Sequence, residues 1–485
     1  MTGSPAPFHA KPIVFGTDGW RGVIAAEFTF ERVARVAPIA ACVLKETYGE
    51  STGSNTVIIG YDRRFMAEDF AQVAADAVAA AGFDVLISAS FASTPAFSWA
   101  AKYRNALGAI VLTASHNPAK YLGLKVKGAF GGSAPPEITQ QIEARLDTVP
   151  DLAATPGTIG TFDPWPEFCA DLRTKANIDG IRAAIASGKL TVFVDVMHGS
   201  AAGGVGKILD APVHELNSDR DPLFAGGAPE PLPKYLPDLI AQVKAHGQQS
   251  DGLTVGFVFD GDGDRIAAVD GQGNFLSSQI LIPILLQHLA ERRGLRGELV
   301  KTVSGSDLMP RIAQLYDLPV FETPVGYKYI ADRMLDGDVL LGGEESGGIG
   351  YNTHIPERDA LLSALYVLEA VVESGQDLGD LYRSLQDRAD FHSSYDRIDL
   401  PLASMDVRAK LLDRLATDPP TEIAGQTVTE MTSPDGYKFR MADHSWLLIR
   451  FSGTEPVLRL YCEAMSLDRV MATLEWARVW ANSIA

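Results

Sequence analysis

The sequence predicts an α/β protein built from three βαβ-type units followed by a smaller α+β tail. Three observations carry this. Short apolar runs of strand length recur, they alternate with segments of helical spacing, and polar glycine-containing loops close several of the runs. At 485 residues, the length corresponds to about three domains, with two or four also compatible.

The first unit reads as strand Thr56–Tyr61, a helix over 67–81 stopped by Gly82, strand Asp84–Ile87, a short helix near Ala96–Tyr103 and strand Gly108–Leu112. This βαβαβ order predicts a parallel sheet. The stretch Thr148–Trp165, rich in Pro, Gly, Thr and Ala, reads as a linker. A second unit follows, with strand Leu190–Asp195, a small-residue helix, a helix over 236–245 and strand Leu253–Phe259. The third runs from Ser278 through the strands Leu299–Val303 and Asp338–Gly342. After a helical stretch, Arg358–Ser374, the tail shows strands near 436–441, 445–451 and 457–462, then an amphipathic helix over 467–480.

Composition narrows the function. With 46% hydrophobic and 21% charged residues and a mean hydropathy of +0.04, the chain has the make-up of an ordinary globular protein. A net charge of −19 disfavours nucleic acid and anionic membrane surfaces as partners. Three widely spaced cysteines without a CxxC pair fit a reducing, cytoplasmic setting, and no apolar run is long enough to span a bilayer.

Four polar loops hold the chemistry. Ser115 stands in Thr113-Ala114-Ser115-His116-Asn117-Pro118 at the end of the apolar run 108–112. Alone, that string is a polar turn, and it lacks the Gly-x-Ser-x-Gly elbow of a serine hydrolase. Asp260-Gly261-Asp262-Gly263-Asp264-Arg265 alternates carboxylates with glycines, so three hard oxygen ligands can face one point, which suits Mg²⁺. An EF-hand is excluded, because Arg265 stands at its obligatory glycine and Gly271 at its bidentate glutamate. An aspartyl phosphatase with Asp260 as nucleophile is a second reading. Gly343-Glu344-Glu345-Ser346-Gly347 follows another strand, and Arg450-Phe451-Ser452-Gly453-Thr454-Glu455-Pro456 has the donors of a phosphate nest. Gly199–Lys207 is glycine-rich, but its spacing is wrong for a nucleotide loop.

Together, and in this order along almost the whole chain from Phe15-Gly16-Thr17-Asp18-Gly19-Trp20-Arg21-Gly22, these strings resemble the α-D-phosphohexomutase superfamily. The resemblance implies three βαβ-type mixed-sheet domains and a C-terminal α+β domain around a central cleft, at 1–160, 161–272, 273–387 and 388–485. It implies Ser115 as the phosphoserine, Mg²⁺ held by Ser115, Asp260, Asp262 and Asp264, and Lys125 as general acid/base. Arg21, His116 and Arg265 would line the site. Glu344 and Ser346 would read the sugar, joined by Lys328. Arg450, Ser452, Gly453 and Thr454 would take the non-reacting phosphate.

The implied reaction interconverts glucose 1-phosphate and glucose 6-phosphate through a glucose 1,6-bisphosphate that turns around in the site. Mannose, glucosamine and pentose phosphates are the family alternatives, and Glu345 and Lys328 lean toward glucose. Small sugar phosphates are the expected partners, with monomer and dimer both open. Leu122 and Phe451 depart from common family residues.

Overall fold

The computed structural model describes residues 11–16, 19–148, 152–451 and 457–484. It divides into two compact units. One comprises Met1–Ser278, Ala331–Gly337 and Ser346–Leu378, and the other Gln279–Ile330, Asp338–Glu345 and Gly379–Ala485.

In the first unit, a sheet runs in the order 15–16, 19–23, 121–128, 108–112, 56–61, 84–88, 159–162. Its four strands from 108–112 to 159–162 are parallel, as the βαβαβ pattern requires. The remaining strands run antiparallel to their neighbours, so the sheet is mixed and not purely parallel. The strand Ile159–Phe162 corrects the linker reading, because that Pro/Gly-rich stretch contributes an edge strand. Helix Phe30–Thr52 begins at Thr29, whose Oγ1 accepts the Arg32 N–H at 3.3 Å, and ends at Gly53 with φ 61°. It packs on helix Ala67–Ala80, burying Val36, Leu44 and Phe70 with Val57 and Ile59 of the sheet.

A second sheet of this unit has the order 275–276, 266–269, 253–259, 190–195, 214–216. Strands 190–195, 214–216 and 253–259 are parallel, while 253–259 turns back antiparallel into 266–269 with Phe259 opposite Ile266. The acidic loop 260–265 is therefore a hairpin connection. The later helix Ala360–Ser374 starts two residues after the sequence suggested, because Asp359 caps it by accepting the Leu362 N–H.

In the second unit, strands 320–323, 298–302 and 339–343 are parallel. The C-terminal sheet is larger than the three expected strands. Among the described residues it has six, ordered 394–401, 457–464, 446–451, 437–441, 426–432, 422–423, all antiparallel. Helix Leu467–Ile484 covers it through Val470, Leu474 and Ala477 against Leu458 and Leu460. No helix among the described residues is long and apolar enough to cross a membrane.

Candidate active site

Ser115 lies just beyond strand 108–112, between its carboxyl end and that of strand 56–61, where consecutive connections leave in different directions. The residue is buried and has φ 50°, a left-handed backbone that a non-glycine residue adopts only when its surroundings enforce it. The enforcement is visible. Arg64 donates to the carbonyls of Ser115 and Asn117 at 2.6 Å each, and of Tyr121 and Pro118 at 3.1 and 3.2 Å. Asp62 in turn accepts the Arg64 N–H and the Thr113 hydroxyl, and Thr113 Oγ1 accepts the Ser115 N–H. Burial pushes the Asp62 carboxyl up to about 6.

The Ser115 hydroxyl donates to Asp260 Oδ2 at 2.9 Å and stands 3.2 Å from His116 Nδ1. The other Asp260 oxygen accepts the N–H groups of Asp264 and Arg265, which closes the hairpin loop on itself. Gly261 permits this approach, since a Cβ there would stand 2.4 Å from the Ser115 carbonyl oxygen. Gly263 has φ 68° and faces Ser93.

Asp260, Asp262 and Asp264 are fully buried, each with an oxygen within 4.8 Å of the others. Burial, then Asp262 and Asp264, push the Asp260 carboxyl well above its ordinary range. Lys125 Nζ lies 2.8 Å from Asp262 and 3.2 Å from Asp264, and Arg358 donates to Asp264 at 2.7 Å. Thr94 Oγ1 donates to Asp262. Asp264 Oδ1 makes no hydrogen bond among the described residues, with Arg265 Nε 3.9 Å away. Convergent, oxygen-only and strongly buried, the cluster fits a hard divalent cation.

Strand 121–128 delivers Lys125 from the position opposite Val111, and strand 19–23 delivers Arg21, which donates to Asn117 Oδ1. His116 is held well below its ordinary value by burial and then by Arg265 and Arg21, so it is neutral at pH 7. Ser346, also in this unit, has a buried hydroxyl with no hydrogen bond among the described residues. Thus Ser115, Lys125, Arg21, His116, Arg265 and the three aspartates belong to one unit, and direct contacts tie Ser115 and Lys125 to the aspartates. Sequence reasoning missed Arg64, Asp62, Thr94 and Arg358. Only Asp62-Arg63-Arg64, charged residues directly after a buried strand, gave a readable signal.

The remaining expected residues belong to the second unit. Glu344 is buried at the end of strand 339–343. Glu345 accepts from Ser304 at 2.8 Å and lies 3.5 Å from Arg397. Lys328 rests over the Tyr329 ring, and Arg450 Nε donates to Asp435 at 2.7 Å. Ser452, Gly453 and Thr454 lie outside the described residues.

Comparison with known proteins points to one family over most of the chain. Models of phosphoglucomutase/phosphomannomutase α/β/α domains I, II and III match residues 12–152, 166–273 and 277–389, and the C-terminal domain model matches 407–475. A phosphoglucosamine mutase of Frankia casuarinae is 30% identical, covering 93% of this chain and 94% of its own. A phosphoglucomutase/phosphomannomutase of Thermococcus kodakarensis is 27% identical, with 95% and 97% covered. A Thermus thermophilus crystal structure, provisionally named a phosphomannomutase, superposes with a TM-score of 0.83 at 33% identity, covering 98% and 100%. Fold and relatives define a mutase-type isomerase. The chain belongs to the phosphoglucomutase/phosphomannomutase family, within the α-D-phosphohexomutase superfamily.

Proposed function

We propose that the protein moves a phosphoryl group between the 1- and 6-oxygens of a hexose phosphate, with Ser115 as the relay. The observation that carries this is the Ser115 hydroxyl seated on Asp260 at the edge of a buried three-carboxylate cluster, with Lys125 beside it. In one half-reaction the bond from phosphorus to Ser115 Oγ breaks as a bond to the sugar hydroxyl oxygen forms. The hydroxyl proton leaves to a base and Ser115 Oγ takes one up. The return half-reaction uses the other phosphate of the bisphosphate, and no inorganic phosphate is released.

Phosphoryl transfer of this kind depends on positioning and charge neutralisation more than on covalent chemistry. Asp260, Asp262 and Asp264, with phosphorylated Ser115, would hold Mg²⁺, which supplies charge neutralisation at the phosphoryl oxygens. Lys125, whose ammonium is held by two carboxylates, is the proton donor in this reading, and neutral His116 offers a lone pair near Ser115 Oγ. Arg21 and Arg265 complete the cationic lining. Glu344, Ser346 and Lys328 would read the sugar, and Arg450, Ser452, Gly453 and Thr454 the distal phosphate. The division at 1–160, 161–272, 273–387 and 388–485 belongs to the same proposal.

For the sugar, glucosamine phosphate stands ahead of glucose phosphate. Similar proteins over nearly the full length, including those of Frankia casuarinae and Thermotoga neapolitana, are named phosphoglucosamine mutases. Glu345, which with Lys328 leaned toward glucose, accepts from Ser304 at 2.8 Å and lies 3.5 Å from Arg397. An Asp260 nucleophile is disfavoured because both its oxygens already accept hydrogen bonds.

Specificity constants measured side by side on glucosamine, glucose, mannose and pentose phosphates test the substrate. The highest value is expected on glucosamine phosphate, and a higher one on glucose phosphate would restore that reading. Release of stoichiometric inorganic phosphate would instead identify a hydrolase.

A further inference from the structure

The glycine-rich segment Gly199–Lys207 fails as a nucleotide loop, yet its first residues lie against the aspartate hairpin. A Cβ on Gly199 would stand 2.9 Å from the carbonyl oxygens of Gly261 and Val196, and 3.0 Å from that of Asp260. The Ser200 N–H donates to the Gly261 carbonyl at 3.0 Å. On the next residue, Ala201, the methyl group would meet a Cβ on Gly263 at 3.3 Å. Elsewhere the hairpin backbone is gripped at single points, by the Thr94 N–H on the Asp262 carbonyl at 2.8 Å and by the Pro229 carbonyl, which accepts the Gly261 N–H at 3.1 Å.

The turn that delivers Gly199 is strained. Met197 and His198 are consecutive, neither is glycine, and their φ angles are 48° and 58°. Asn217, which faces them from the end of strand 214–216, has φ 51°. Left-handed backbone at residues with a Cβ persists only where the surroundings over-determine it. Here they do. Asn217 Nδ2 lies 3.0 Å from each oxygen of buried Asp195, whose Oδ1 also accepts the Met197 N–H at 2.9 Å. The Asn217 carbonyl accepts the His198 N–H at 2.9 Å, and the Gly199 N–H closes the turn on the Val196 carbonyl at 2.6 Å. These bonds fix where Gly199 stands.

We propose that the turn 195–201 is a positioning element for the metal ligands, with Asn217 as its positioning residue. Asn217 holds Asp195, the two together hold the turn, and the turn sets the Gly261 carbonyl and with it the spacing of the Asp260, Asp262 and Asp264 oxygens. Outer residues of this kind orient the ligands of an ion without touching it. The inference rests on the Mg²⁺ reading of the three aspartates and extends it to residues that meet neither ion nor substrate.

The test is calorimetric titration of the full chain with Mg²⁺, without sugar, joined to hydrogen exchange of the amides of 260–266. Gly199→Ala and Asn217→Ala should each weaken Mg²⁺ binding at least about tenfold and speed exchange in 260–266. Gly206→Ala adds the same methyl group where the nearest atom, on Val213, is 3.5 Å away, and should leave both readings unchanged. Ile208→Val loosens the buried packing of helix Gly204–Leu209 and should lower urea stability without moving Mg²⁺ affinity. An equal loss of affinity in Ile208→Val would reduce the turn to a general structural role and overturn the proposal, as would native affinity in Gly199→Ala. Should Asn217→Ala fail to fold, Gly199→Ala decides alone. If the native chain takes up no Mg²⁺, the metal reading falls, and exchange decides the turn by itself: rates in 260–266 indifferent to Gly199→Ala overturn its hold on the hairpin.

Discussion

The Ser115 region and the Glu344–Arg450 region handle their polar groups in opposite ways. Around Ser115, backbone and side chains are locked within one unit: four loop carbonyls sit on Arg64, and the aspartates take hydrogen bonds from Ser115, Thr94, Lys125 and Arg358. In the second unit, the cations proposed to meet substrate rest on local substitutes, Arg450 on Asp435 and Lys328 on Tyr329. A group that must transfer phosphoryl in line gains from being fixed beforehand. A group that must receive two orientations of one substrate has to exchange partners. The difference teaches that chemistry and recognition place opposite demands on rigidity.

Substitutions should separate the two regions by size of effect. Ser115→Ala is expected to lose hexose phosphate interconversion by several orders of magnitude with the fold intact, and retained turnover would remove Ser115 from the relay. Next is the ion: chelation should suppress activity, and Mg²⁺ should restore it in the native chain while restoring little in Asp262→Asn. Activity indifferent to chelator would contradict the metal assignment.

Arg64→Met removes a buried charge opposite Asp62 and frees four carbonyls, so urea unfolding should report a loss of about 3–5 kcal/mol. Unchanged stability would show that the loop is held by other means. A milder outcome is expected in the second unit. Arg397→Lys should raise KM severalfold at nearly constant kcat, since it loosens Glu345 beside Glu344, whereas a fall confined to kcat would blur the contrast between the regions.

The smallest effect concerns pH. His354 is buried with Nε2 3.0 Å from Asp359 and Nδ1 3.3 Å from Asp171. Burial alone would lower its pKa, but the two carboxylates more than offset this and raise it. A histidine whose folded pKa is raised contributes stability fully present below its unfolded value near 6.5, and lost as pH rises through the folded value. Stability should therefore decline above pH 6.5, and His354→Gln should flatten that slope.

Much of the scaffold was readable because strands buried on both faces are continuous apolar runs, as at 56–61, 108–112 and 253–259. Strand 121–128 was not read as one, since Lys125 and Lys127 look like a solvated face. Both are in fact buried, Lys127 against Glu357 at 2.6 Å. Helix 30–52 carries Pro38 in its interior, and strand 159–162 hides in a segment composed like a linker. In the site, glycines and carboxylates at fixed spacing announced the 260–265 loop. Arg64, Thr94 and Arg358 act only across space, and nothing around a lone arginine or threonine in sequence says which distant carbonyl or carboxylate it will meet.

Gly261 carries a wider consequence. With the Ser115 carbonyl pressed against its missing side chain, the aspartate hairpin and the serine turn behave as two parts of one gauge block. A single methyl group at position 261 would be read out far along the chain as a displaced nucleophile, so the tolerance on the reacting atom is set by an atom the protein does not have.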